Sequence, residues 1–166
     1  RGKTPMPVTI RTLNKRKQDG EKFSMLTAYD ATFARLISEA GVDAVLIGDS
    51  LGNVIQGRDS TVPVTLENMV YHTECVARAN QGSLVLADVP FLGAATLDRI
   101  LEASGALMQA GANMVKLEGG AWLAEAVAVL KRNGVPACVH LGLTPQAVNA
   151  FGGSRIQGKD EQGARE

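Results

Sequence analysis

The chain has 166 residues, 45% of them apolar and 20% charged, enough to bury one sizeable core and unlike a disordered segment. Its 17 basic and 17 acidic residues cancel, which removes the electrostatic footprint expected for nucleic acid or an anionic membrane and leaves a small molecule as the expected partner. No run of 18 apolar residues and no signal-peptide core occurs, so the expected location is the cytoplasm, with no membrane contact.

In chain order, residues 1–7 read as an extended lead-in with Gly2, Pro5 and Pro7, and a helix is expected over Val8–Gln18. Because the chain opens on Arg1 rather than Met, further N-terminal sequence is expected. A short strand, Phe23–Ala28, precedes a helix capped by Asp30, with Phe33, Leu36, Ile37 and Ala40 on its inward face and Gly41 at its end. The apolar strand Ala44–Ile47 runs into Gly48-Asp49-Ser50-Leu51-Gly52, then a long loop to Pro63 in which Arg58 and Asp59 can pair. Thr65 opens a helix with Leu66, Met69, Val70, Thr73, Val76 and Ala77 at helical spacing. The unit then repeats: strand Leu84–Asp88 and helix Thr96–Gln109, strand Asn113–Glu118 and helix Trp122–Arg132, and strand Pro136–Leu141. Leu97, Ile100, Leu101 and Leu107 are expected inward, and Trp122 and the methionines in core or helix-start packing. The segment Gly142–Gly158 is glycine-rich and shows no periodicity. Cys75 and Cys138, on a helix and a strand among apolar residues, read as buried free thiols in a reducing compartment.

Gly41, Gly82, Gly111 and Gly134 each precede an apolar strand, and each strand delivers an ionisable residue: Asp49, Asp88, Glu118 and His140. Such alternation predicts a parallel sheet with helices outside. Convergence of three acids at one mouth favours a barrel over an open sheet, in which they would spread along an edge. A (β/α)8 barrel takes roughly 250 residues. About five of its eight units are present, so residues 1–166 read as one domain, the N-terminal part of a barrel whose C-terminal units are missing.

Asp49, Asp88 and Glu118 are oxygen donors with no His or Cys beside them, which suits a hard cation such as Mg²⁺. Alternation along the strand puts Lys116 on the same face as Glu118, where it can clamp a substrate carboxylate. Ser50 can donate to that carboxylate or satisfy its own turn. His140 reads as structural more readily than catalytic, and His72 as solvent-facing or packed.

Five ordered stretches carry a resemblance: Leu26–Asp30, Gly48–Gly52, Leu86–Phe91, Ala110–Gly120 and His140–Gln146. Together they resemble the ketopantoate hydroxymethyltransferase family, over nearly the whole chain. The resemblance implies a (β/α)8 barrel of the phosphoenolpyruvate/pyruvate superfamily kind. It also implies an enzyme that makes ketopantoate from 3-methyl-2-oxobutanoate and 5,10-methylenetetrahydrofolate, in pantothenate and coenzyme A biosynthesis. Asp49 and Asp88 are then expected to hold Mg²⁺, with Glu118 completing the metal site directly or through water. Ser50 and Lys116, beside Asp49 and Asp88, are expected to bind the keto acid. The family's general-base glutamate falls beyond Glu166, and a cytoplasmic homo-oligomer, a decamer, is implied.

Three rival readings remain at this level. Gly48-Asp49-Ser50-Leu51-Gly52 fits a serine-hydrolase elbow, but the residues three before His72 and His140 are Met69 and Ala137, not the acid such an esterase pairs with its histidine. Lys116 could serve as the Schiff-base lysine of a metal-free aldolase if burial lowered its pKa. The five units could also bind a keto acid without turning it over.

Overall fold

The computed structural model describes residues 6–165, so most of the expected lead-in, including Gly2 and Pro5, lies outside the described residues. Helix α1 (Ile10–Asp19) starts at Thr9, whose hydroxyl accepts from the Thr12 N–H in a reciprocal capping box. Then come β1 (Met25–Thr27), α2 (Ala31–Glu39) capped by Asp30, and β2 (Ala44–Ile47). A short helix, α3 (Leu51–Val54), follows directly, at the start of the expected loop. Next are α4 (Leu66–Ala79), β3 (Leu84–Asp88), α5 (Leu97–Gln109), β4 (Met114–Glu118), α6 (Ala124–Arg132) and β5 (Ala137–His140). Thr65 and Thr96, expected as the first residues of their helices, are the caps just before them, and each accepts a backbone N–H three residues on. Two short helices, α7 (Val148–Phe151) and α8 (Glu161–Arg165), close the described chain.

The five strands are all parallel and lie in sequence order, β1-β2-β3-β4-β5. An open doubly wound sheet reverses its order at a switch point. No reversal occurs here, and the outer face carries α2, α4, α5 and α6 through one apolar core that includes Val45, Ile47, Val85, Ala87, Val115 and Leu117. The inner face holds Ala44, Leu84 and Leu86, with Leu46, Met114 and Cys138 beside them, and Val8, Ile10 and Leu13 of the α1 segment close it from below. This is the wall of a barrel, seen over five βα units.

The α1 segment is pinned by charge as well. Arg16 Nη1 lies 2.7 Å from Asp43 Oδ1, and Asp43 also accepts from the Ser24 N–H and hydroxyl. Burial alone would raise Asp43, but these donors outweigh it and hold the carboxyl below its ordinary value. The four glycines that precede strands, Gly41, Gly82, Gly111 and Gly134, all have positive φ.

Several expected contacts fall elsewhere. On α2 the buried positions are Ala34 and Ser38, with Ile37 partly covered, while Phe33 and Leu36 face solvent beside the edge strand β1. Trp122 is 63% exposed and Leu97 is exposed too, rather than in the core. Cys75 and Cys138 are unpaired, as expected, but only half-buried. Arg58 donates to Gln56 Oε1 rather than pairing with Asp59. His72, on α4, is neither solvated nor merely packed: its Nδ1 donates to the Tyr29 carbonyl at 2.6 Å. Among the described residues no helix is long and apolar enough to cross a membrane.

Candidate active site at the strand C-termini

Strand register sets the site. β3 pairs with β4 so that Asp88 lies opposite Lys116, and β4 pairs with β5 so that Glu118 lies opposite His140. Partners in register project to the same face, so all four point to the inner mouth. Lys116 Nζ donates to Asp88 Oδ1 at 2.6 Å and stands 3.8 Å from Glu118 Oε1. His140 Nδ1 donates to that same Glu118 oxygen at 3.2 Å. Asp49 follows β2, and its backbone N–H donates to Asp88 Oδ2 at 3.1 Å, which brings the β2 and β3 ends together. Ser50 lies beside it, its Oγ 2.8 Å from the Tyr29 hydroxyl, and it makes the turn into α3.

One residue of the mouth was not apparent from the sequence. Gln146, in the 3-10 turn Pro145–Ala147, donates from Nε2 to Asp49 Oδ2 at 2.8 Å and to the Val89 carbonyl at 3.0 Å. Its backbone N–H donates to Glu118 Oε2 at 3.1 Å. One uncharged residue of the glycine-rich segment therefore ties the ends of β2 and β3 together through its side chain and that of β4 through its backbone N–H. Thr144-Pro145 is a helix-start pattern and was the available signal, because it leaves the next N–H groups free to point at an acid.

The electrostatics are lopsided. Asp49, Asp88 and Glu118 are all buried, and one ammonium, Lys116, stands among them. Burial, with the Asp88 charge added, pushes Asp49 up to about 6. Asp88 is also raised, because burial outweighs the pull of Lys116. Burial works against the charged form of Lys116, but Asp88, and after it Glu118, reverse this and leave its pKa raised. The Schiff-base reading required the opposite shift. The hydrolase reading fails on geometry: Ser50 bonds Tyr29, and His72 bonds the Tyr29 main chain instead of the serine.

An excess of buried carboxylate over compensating cation, with Asp49 and Asp88 offering only oxygen, fits a hard divalent ion. Among the described residues no three His, Cys, Asp or Glu side chains stand close enough to form a complete ligand set. Asp49 and Asp88 are adjacent through the Asp49 N–H, whereas Glu118 is turned to Lys116, His140 and Gln146. A larger apolar hollow, about 770 Å³ between α1 and the foot of β5, is lined by no carboxylate or histidine and lies away from this chemistry.

A family model described as Ketopantoate hydroxymethyltransferase matches residues 7–166. The chain belongs to the ketopantoate hydroxymethyltransferase family. It is 76% identical over 161 residues to the 3-methyl-2-oxobutanoate hydroxymethyltransferase of Alcanivorax borkumensis, covering 97% of this chain and 62% of that protein. It is 59% identical over 159 residues to the Marinobacter nauticus protein of the same name, covering 96% and 60%. The chain thus spans about three fifths of the length of the curated relatives it matches. Among solved structures it resembles 2,3-dimethylmalate lyase, a PEP mutase/isocitrate lyase superfamily member, with TM-score 0.61 and 19% identity over 82% of this chain and 54% of that one. It also resembles phosphonopyruvate hydrolase in complex with oxalate and Mg++, with TM-score 0.65 and 13% identity over 85% and 53%. At such identities the likeness is one of fold, and it agrees with the five-unit barrel wall of this ketopantoate hydroxymethyltransferase family member.

Proposed function

We propose that this chain forms the metal and keto-acid half of an enzyme that makes ketopantoate from 3-methyl-2-oxobutanoate and 5,10-methylenetetrahydrofolate. The observation that carries this reading is the buried mouth in which Lys116 is shared between Asp88 and Glu118 while Asp49 abuts Asp88. Asp49 and Asp88 would hold a divalent cation such as Mg²⁺, with Glu118 acting beside it through water. When bound, that cation supplies a Lewis acid for the oxygens of a 2-oxo acid.

The chain's own residues bind and orient. Lys116 stays charged, and its remaining N–H donors meet the substrate carboxylate. Ser50, with its hydroxyl held by Tyr29, donates a second hydrogen bond and fixes the rotation of the acid. Removal of the C3 proton, by a glutamate of the units beyond Glu166, leaves an enolate facing the Lys116 ammonium. Its C3 bonds to the methylene carbon of the folate and water supplies the hydroxyl oxygen, as the two carbon–nitrogen bonds that hold this carbon break in turn and the two folate nitrogens take up the C3 proton and one proton of the water. Assembly as a cytoplasmic homodecamer completes the proposal, and light scattering on the full-length protein tests it.

The reaction is tested by following exchange of the C3 proton of 3-methyl-2-oxobutanoate into D2O by NMR, on full-length protein. Exchange should require Mg²⁺ and be lost in Asp49→Ala and Asp88→Ala; unchanged exchange in either variant refutes the assignment. The aldolase alternative predicts borohydride-dependent labelling of Lys116 by a keto acid, which its ion pair with Asp88 disfavours.

A further inference from the structure

Ser50 carries a hydroxyl that its own turn does not use. It precedes α3 in a helical conformation and makes no side-chain bond that caps the helix. Its Oγ lies instead 2.8 Å from the hydroxyl of Tyr29, 21 residues earlier in the chain. The other side of this seat is the bare main chain of Gly48, where a Cβ would fall 2.9 Å from Ser50 Oγ and 3.6 Å from Asp88 Oδ2. The hydroxyl holds a single hydrogen. For that hydrogen to reach a substrate carboxylate, Tyr29 must be the donor of the pair and Ser50 the acceptor. The place of the Tyr29 ring therefore decides which way Ser50 points.

Tyr29 stands two residues past the end of β1, in the connection to α2, where neither a ladder nor a helix carries it. The Ala28 N–H holds this connection to the Leu46 carbonyl at 3.1 Å. The Tyr29 carbonyl is met from α4, where His72 Nδ1 donates to it at 2.6 Å from 43 residues along the chain. Among the described residues no main-chain N–H bonds to that carbonyl. A carbonyl has no hydrogen to give, so the bond places the His72 proton on Nδ1. His72 thus reaches the mouth without touching it: α4 holds the Tyr29 main chain, and the Tyr29 ring holds Ser50, the neighbour of Asp49.

We propose that His72 is a positioning residue for the keto acid, acting through Tyr29 on the direction of the Ser50 hydroxyl. This rests on the proposed function, which puts the substrate carboxylate on Ser50, and it adds a residue of an outer helix that sets how tightly that carboxylate is held. Hydrogen bonds weaken steeply when bent or lengthened, so a small shift of Tyr29 is felt at Ser50 while no acid of the mouth moves.

The test is steady-state kinetics of full-length protein with Mg²⁺, reading kcat and the KM of each substrate separately, with Tm alongside. His72→Leu should raise KM for 3-methyl-2-oxobutanoate about threefold, with kcat and the folate KM changed by less than about twofold. The rise is smaller than that for Tyr29→Phe because the bond to Ser50 is loosened rather than deleted. His72→Asn keeps an N–H near the place of Nδ1 and should restore the wild-type KM. His72→Gln sets its N–H one bond further out, so it should behave as His72→Leu does and replaces that variant if it fails to fold. The deciding comparison is Tyr29→Phe with Tyr29→Phe/His72→Leu. Without the Tyr29 hydroxyl His72 has nothing to position, so the two should share one keto-acid KM, whereas independent effects would multiply to about fifteenfold over wild type. Such a product overturns the proposal. A His72→Leu protein with lowered Tm and unchanged KM overturns it too, by giving His72 a purely structural part. Ser50→Ala separates the relay from the function it rests on. An unchanged keto-acid KM in Ser50→Ala refutes the carboxylate contact and the relay with it, whereas a raised KM there and none in His72→Leu refutes the relay alone.

Discussion

Asp49→Asn should stabilise the metal-free protein, and by an amount that depends on pH in a calculable way. In the folded protein burial and the Asp88 charge put the Asp49 pKa at about 6 against an ordinary 3.8. A raised carboxyl pKa means that the folded state binds the proton more tightly than the unfolded state, so stability falls as pH rises through this window. At 1.36 kcal/mol per pKa unit the full cost above pH 6 is about 3 kcal/mol. About half of it is already present at pH 5, so the wild type should lose about 1.5 kcal/mol relative to Asp49→Asn between pH 5 and pH 8. Asparagine keeps an acceptor for the Gln146 Nε2 and carries no charge, so any packing defect shifts both pH values alike and cancels in the difference. The assay is urea denaturation of both proteins at the two pH values without divalent ions, repeated with millimolar Mg²⁺. Added Mg²⁺ should stabilise the wild type and leave Asp49→Asn little changed. A stability difference that is the same at both pH values would mean that Asp49 is not ionised in a desolvated mouth, and the charge argument for a cation there would fall.

Other side chains of the mouth give further expectations. Gln146→Leu loses the bonds to Asp49 and the Val89 carbonyl but keeps its backbone N–H on Glu118, so it should cost about 1–3 kcal/mol in urea denaturation. Because Gln146 lowers the Asp49 pKa, the same change should also move the pH dependence upward. Lys116→Met leaves Asp88 buried without its cation and should destabilise the protein by about 3–5 kcal/mol at pH 8 and by less at pH 5, where the acid protonates more readily. Tyr29→Phe removes the partner of Ser50 and should raise the keto-acid KM about fivefold, the equivalent of one hydrogen bond of about 1 kcal/mol, with kcat nearly unchanged.

The parts of the fold that were legible are those in which one residue decides a local structure. Asp30, Thr65 and Thr96 cap helices because a short oxygen-bearing side chain satisfies an orphan N–H, and nothing remote can overrule that. The buried parallel strands were legible as apolar runs because both of their faces are covered, and their ends followed, so Asp88, Lys116, Glu118 and His140 could be placed on one rim. The direction each helix presents to the sheet was not legible. Phe33 and Leu36 are as hydrophobic as a core residue, yet α2 turns Ala34 and Ser38 inward because it packs closely against α4, which favours small side chains. Trp122 was legible only in part: it packs at a helix start, against Gly119 and Gly120, and is not in the core that its size also suggested.

The mouth shows the same division between residue type and pairing. That three acids and a lysine meet follows from strand spacing alone, but their partners depend on contacts 22 to 97 residues apart in the chain. Gln146, uncharged and set in an aperiodic segment, offered no signal of its own, yet it donates to both Asp49 and Glu118. Its single side chain opposes the burial that raises Asp49, so the segment after β5 helps to set the charge of a residue on β2's far end. Chemistry that could be assigned strand by strand from sequence is therefore balanced by a loop, and a change in that loop will move the acid–base behaviour of the mouth without touching any acid in it.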